Sequence, residues 1–217
     1  MDASPLFVSL KTASASIAFT FFLGLGAAVF VSGLRRGALK TLLDCVLTLP
    51  LVLPPTVAGF FLLALFGVEG PLGRFLITFF SIKIPFSWPA AVIAAAVISF
   101  PLMYRAARGA LEQVDGVYSA AARTLGISEW RIFTRVVMPQ ALPGIAGGTV
   151  IAFTRALGEF GATAMIAGNI AGKTRTLPLA IYTETAAGNY DAAFQYVLVI
   201  LLVCFIAVSL INYFSGV

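Results

Sequence analysis

A chain of 217 residues has room for one or two soluble domains, but 60% hydrophobic residues, 11% charged residues and a mean hydropathy of +1.00 lie outside the soluble range. The formal charge of +5 does not point to nucleic acid, because Lys and Arg fall in short clusters between apolar runs rather than along one solvated face. There is no His, and Cys45 and Cys204 lie at or inside apolar runs without C-x-x-C spacing. That pattern argues against a zinc site and a disulfide framework, and both cysteines are expected to be small buried packing residues.

A hydrocarbon core of ~30 Å needs about 20 mostly apolar residues of helix. The first such span is expected over about residues 9–33. Its apolar run, 13–32, is too long for a signal-peptide core, is preceded only by Lys11 and is followed by Arg35, Arg36 and Lys40, so it is expected to be retained. A second span, about 45–68, is interrupted by Pro50, Pro54 and Pro55, which remove N–H donors; such a break survives in lipid only where protein or water covers the freed carbonyls. The third span, about 86–104, carries Pro101, the fourth covers about 140–166 and the fifth about 192–214. Segments 69–85 and 167–191 are too long for simple turns, and their apolar pieces, 75–82 and 177–182, are expected to be partly helical or re-entrant. No internal repeat is visible. The whole chain, 1–217, reads as one all-α integral membrane domain of about five spans.

With the N-terminus outside, the inner loops hold eight cations, Arg35, Arg36, Lys40, Arg105, Arg108, Arg123, Arg131 and Arg135, and the outer segments five, Lys11, Arg74, Lys83, Lys173 and Arg175. This bias favours a cytoplasmic C-terminus and a cell (inner or plasma) membrane location. The longest polar-rich segment, 106–138, is then cytoplasmic. Within it, Ala120, Ala121, Ala122 and Leu125 favour a short helix, Gly126 suits its left-handed stop, and Ser128 is positioned to cap a second helix beginning at Glu129. Pro139 and Pro143 mark entry into the fourth span. Two short helices around a glycine make an amphipathic knob that fits a groove on a partner protein.

At this point the residues resemble the EAA loop of bacterial and archaeal ABC importer permeases. Ala121, Ala122, Gly126 and Pro139 match in register, while Ala120 replaces the loop's Glu, Val136 its Ile and Met138 its Leu. The stretches LPLVLPPTVAGFF (49–61), SFPLMYRAARGALEQVD (99–115), ALGEFGAT (156–163) and TRTLPLAIYT (174–183) are similar to molybdate permease subunits in particular, with sulfate and tungstate permeases as near relatives. The resemblance implies the type I ABC importer permease fold, a homodimer, and two ABC ATPase subunits docked on loop residues Ala121, Ala122, Arg123, Thr124, Leu125, Gly126, Glu129, Trp130 and Pro139. It also implies an extracytoplasmic molybdate-binding protein. ATP and magnesium would be bound by the ATPase, leaving this chain without a cofactor, a metal or a catalytic residue of its own.

Arg155 and Glu159 stand four apart in the fourth span and can pair across one helical turn. Intramembrane charges face protein or water. The pair reads first as a structural ion bridge between helices, because a paired Arg offers an anion little net charge, and alternatively as an attractor in the pathway. Hydroxyls near helix breaks bind oxyanions weakly enough to release them, which singles out Thr56, Thr154 and Thr163, though each also fits ordinary packing with its hydroxyl bonded to its own helix. Gly144 and Gly148 form a G-x-x-x-G that serves intrachain packing or a contact between copies. Gly172-Lys173-Thr174 does not make a phosphate loop: position 167 is Ala, Gly168 is one residue out of step, and no strand precedes it. An ion-coupled anion carrier would need intramembrane carboxylates, for which Glu159 alone is available. No membrane-enzyme cluster is visible.

Overall fold

The computed structural model describes residues 2–35 and 37–215; Arg36, counted above with the inner cations, lies outside them. Among the described residues the chain is helical with no strand. Helices α1 (Ser4–Gly33), α2 (Ala38–Val52), α3 (Pro55–Phe66) and α4 (Pro71–Phe80) are followed by the long α5 (Trp88–Glu112). The short α6 (Gly116–Thr124) and α7 (Glu129–Ile132) come next, then a π-helical turn Phe133–Val137, α8 (Met138–Leu157), α9 (Gly161–Ile166), α10 (Leu177–Ala186) and α11 (Tyr190–Ser215). Among the described residues four stretches are long and apolar enough to cross a membrane, Ser4–Gly33, Trp88–Glu112, Glu129–Leu157 and Tyr190–Leu210, and the pair α2–α3 makes up to a fifth. Helices α4 and α10 fall on the two apolar pieces expected at 75–82 and 177–182.

The expected interruption near Pro50, Pro54 and Pro55 is sharper and more local than the sequence suggested. Pro50 lies inside α2 without ending it. The corner is at Leu53 (ψ 138°) and Pro54 (ψ 134°), each held extended because the following proline ring excludes the helical conformation. There α2 and α3 meet at 109°. The fourth span is also divided. One continuous helix runs Glu129–Leu157, breaks at Gly158, and resumes as the short α9. The helix of the third expected span, α5, continues to Glu112, so residues 106–112, expected in the loop, are its last two turns.

Buried side chains gather into several clusters, of which two are the largest. At one end Ala58 and Leu62 of α3, Ala90, Ala91, Ala94 and Ile98 of α5, and Ala162 and Ile166 of α9 form one core. At the loop-bearing end Ala28 and Val31 of α1, Met103, Tyr104 and Ala107 of α5, and Ala141, Ile145 and Ala152 of α8 form another. In lipid, close approach of small side chains replaces the hydrophobic effect as the source of helix association. Helix α1 accordingly presents Ser9, Thr12, Ala13, Ser16, Thr20, Gly24 and Ala28, all buried, to its neighbours. The Thr20–Ser99 hydroxyl contact at 3.4 Å is secondary, since interhelical hydrogen bonds in a membrane average only about 0.6 kcal/mol. Gly144 and Gly148 face Ala110 and Ala106 of α5, so this G-x-x-x-G serves intrachain packing. Cys45 is exposed and Cys204 only part-buried, both free thiols, contrary to the expectation of burial: α2 and α11 present those positions outward.

Another close approach joins α3 to α9, where a Cβ added at Gly59 would lie 2.8 Å from the Ala162 Cα and the Met165 Cβ. Backbone cannot yield there, so Gly59→Leu is expected to cost ~1–3 kcal/mol through overpacking. Gly26→Ala, with nothing within 4 Å, should be near neutral. Thermal unfolding midpoints of the two variants in detergent provide the comparison.

Candidate functional site

The loop between α5 and α8 is a preformed knob. Asp115 opens α6 by accepting the Val117 N–H at 2.9 Å, a cap absent from the sequence reading. The helix ends in a paired turn: the Gly126 N–H donates to the Arg123 carbonyl at 3.0 Å and the Ile127 N–H to the Ala122 carbonyl at 3.2 Å. Gly126 has φ +72°, the left-handed conformation that closes such a Schellman turn and that glycine adopts without steric penalty. Ser128 stands at the start of α7, but its hydroxyl makes no capping bond. The carboxylate next to it acts instead. Glu129 takes two bonds from Arg123, 2.6 Å from Nε and 3.0 Å from Nη2, bracing α7 against α6.

Those hydrogen bonds hold the Glu129 carboxyl below the usual carboxylate range. A carboxyl lowered on folding contributes its stabilisation above its unfolded pKa, ~4.3, and loses it as the pH falls through the lowered value. The brace is therefore complete at neutral pH. Ala122 is buried, and the Thr124 hydroxyl bonds the Ala121 carbonyl at 2.7 Å. The outward face is apolar: Leu125 is 78% and Trp130 73% exposed, flanked by Val117, Tyr118 and Ile127. Pro139 stands in the first turn of α8, directly after the π-helical turn, which makes the loop and the span one continuous rod.

The second group of residues gathers at the helix breaks. Glu159 is 1% exposed, and its Oε1 accepts the Ala162 N–H at 2.8 Å, satisfying a first-turn donor of α9. Its Oε2 lies 2.8 Å from the Arg155 Nη1, a close ion pair without the alignment of a hydrogen bond. The bridge runs within one helix and across its break rather than between helices, and Arg155 keeps about a third of its side chain exposed, 31%. The break abuts the α2–α3 corner, since a Cβ on Gly161 would lie 3.0 Å from the Pro55 Cβ and 3.2 Å from the Thr56 nitrogen. Arg155, Glu159 and Thr56 are thus brought to one level.

The three threonines differ. Thr56 is exposed. The Thr154 hydroxyl is occupied by its own helix, bonding the Ile151 carbonyl at 2.9 Å and the Val150 carbonyl at 3.2 Å. Thr163 is buried in α9. Around Gly172-Lys173-Thr174 the chain closes on itself, with the Ile170 carbonyl accepting the N–H groups of Lys173, Thr174 and Arg175 at 2.9–3.1 Å. This self-contained turn accounts for the glycine there without a phosphate.

Comparison with known proteins agrees with this geometry. Residues 20–216 match the family model of the binding-protein-dependent transport system inner membrane component. The chain is 50% identical over 189 residues to the molybdenum transport system permease protein ModB of Escherichia coli (strain K12), covering 86% of this chain and 82% of that one. It is 41% identical over 176 residues to the sulfate transport system permease protein CysT of the same strain, covering 81% and 61%. Among solved structures, a bacterial ABC transporter involved in the import of the acidic polysaccharide alginate superposes with a TM-score of 0.80 at 15% identity, over 98% of this chain and 78% of that one. The fold is therefore that of an ABC importer permease, and the chain belongs to the family of binding-protein-dependent transport system inner membrane components.

Proposed function

We propose that this chain is the permease subunit of an ATP-driven oxyanion importer, that two copies form the translocation pathway, and that molybdate is the anion carried. The observation that carries the reading is the α6–α7 knob, whose rigid frame holds Leu125 and Trp130 outward on a rod continuous with a membrane span. An apolar surface of that kind fits a groove on a partner, and each of two ABC ATPase subunits supplies that groove. ATP and magnesium belong to those subunits; this chain contributes motion and a path. The N-terminus is outside and the C-terminus cytoplasmic, which puts the knob on the ATPase side. An extracytoplasmic binding protein delivers the anion to the opposite face. The higher identity to the molybdenum permease than to the sulfate permease favours molybdate; sulfate and tungstate are the alternatives.

In this reading the anion passes the level of the two helix breaks, where Thr56 and the exposed part of Arg155 border the route. Thr154, Glu159 and Thr163 support its wall. Arg155 serves first as the partner of Glu159, because a buried carboxylate left without its cation is the costlier loss.

Co-expression with an ABC ATPase of the same transport system should yield a complex of two permeases and two ATPases. Gly126→Val forces a β-branched residue into a left-handed turn at a cost of roughly 1–2 kcal/mol. It should leave the chain inserted but abolish co-purification or substrate-stimulated ATP hydrolysis, and reduce uptake more than tenfold. Normal uptake in that variant would count against docking through this turn. Arg155→Gln should lower the yield and thermal stability of the complex while leaving the relative uptake of molybdate and sulfate unchanged. A stable complex with altered anion preference would make Arg155 a recognition residue instead.

A further inference from the structure

Helix α2 has no buried residue, and its apolar hold on the loop-end core is limited to the partly buried Leu43 and Leu47. What fastens it to α5 is a set of crossed charges. Lys40 and Asp44 stand one turn apart on α2; Tyr104, Arg108 and Glu112 stand on successive turns of α5. Arg108 donates through Nη1 to the Asp44 carboxylate and through Nε to Glu112 at 3.0 Å. The Tyr104 hydroxyl, on a fully buried side chain, donates to Asp44 at 2.9 Å. Lys40 reaches back to Glu112 at 3.2 Å. The bonds cross in both directions: a cation of α5 meets an anion of α2, and a cation of α2 meets an anion of α5. Such bracing resists sliding as well as separation. The same groups line a polar recess of about 670 Å3 between the two helices.

Position gives the brace its consequence. Glu112 is the last residue of α5, three residues before the Asp115 cap of the knob. At its other end α2 runs into the Leu53–Pro54 corner and so to α3, which belongs to the far core. Resting on the transport reading above, we infer that Lys40, Asp44, Arg108 and Glu112 are positioning residues that convey displacement of the knob, through α2, to the α2–α3 corner. Arg108 is the hub, because its planar guanidinium bonds both carboxylates of the set, Asp44 of α2 and Glu112 of its own helix.

The test uses the complete permease–ATPase complex in proteoliposomes, reading molybdate uptake, ATP hydrolysis and the KM for uptake. Arg108→Gln is expected to assemble and hydrolyse ATP at no less than half the wild-type rate, while anion moved per ATP falls at least fivefold and KM stays unchanged. Arg108→Lys should recover about half of the lost coupling. A merely structural role would lower the amount of complex and leave anion moved per ATP unaltered; that result, or wild-type coupling in Arg108→Gln, overturns the inference. Should Arg108→Gln fail to assemble, the deciding measurement is a tether. With Cys45 and Cys204 replaced by Ser, cysteines at positions 40 and 112 are joined by a short bis-maleimide. A brace that stays closed through the cycle tolerates the tether with at least half of the uptake retained, and loss of uptake on tethering overturns it. A wild-type complex that hydrolyses ATP but moves no oxyanion overturns the proposed function itself, a result distinct from either variant outcome.

Discussion

A backbone amide inside a hydrocarbon layer has no water to turn to, and each unpaired group there costs several kcal/mol. This one constraint decides where the helices of the chain stop. At the α2–α3 corner two consecutive prolines carry no N–H at all, so the break orphans few donors, and the Leu53 N–H still finds the Leu49 carbonyl at 3.3 Å. At the α8–α9 break the donor problem falls to Glu159, whose buried carboxylate takes the Ala162 N–H and is itself held by Arg155. A carboxylate is an expensive cap in lipid, tolerable because the cation one turn away compensates it. The pair reads more coherently as the condition for a break than as an isolated pair of charges.

The two breaks abut, through Gly161 against Pro55 and Thr56, beside the far core around α3 and α9; the loop-end core lies around α1 and α8, and a smaller cluster of Ala13, Ala95, Ala156 and Leu157 joins α1, α5 and α8. Only α5 contributes substantially to both, and its alanines make it a smooth spine: Ala90, Ala91, Ala94, Ala95 and Ala107 are all fully buried. Alanine-lined contacts allow close approach without interdigitating branches, so neighbouring helices can meet the spine at different levels without a shared ridge. Helix α5 thus links the far and loop-end cores, with the continuous α1 (Ser4–Gly33) packed alongside it.

What could be read in the sequence followed from how local the signal was. Apolar runs and charge clusters marked the spans, and the spacing around Gly126 marked a left-handed turn that the structure realises at φ +72°. Proline was ambiguous: Pro50, Pro101 and Pro143 sit inside helices while Pro54 and Pro55 end one, because a single ring only disfavours helical geometry at the residue before it, whereas a pair disfavours it at two successive residues and removes two N–H donors. The Asp115 cap of α6 has no counterpart in the sequence reading, and Ser128 stands at the expected N-cap position of α7 without making the bond expected of its hydroxyl. Lys40 and Arg108 were counted as topological charges. Their partners lie 72 and 64 residues away, and no local pattern announces a pair of that separation.

The knob itself shows why such a surface can be both exposed and specific. Docking a loose loop would spend part of the binding energy on ordering each residue it immobilises. Here the paired turn at Gly126, the Asp115 cap and the bidentate Arg123–Glu129 brace order the backbone before any partner arrives, and none of these bonds uses the outward apolar face. Leu125 and Trp130 stay available precursors of contact because the polar groups around them are already satisfied by one another. Rigidity also serves transmission. A knob that yielded would absorb a push, whereas one joined to α8 by continuous helix on one side and to α5 by a three-residue link on the other is built, on the proposed reading, to pass displacement to two spans at once.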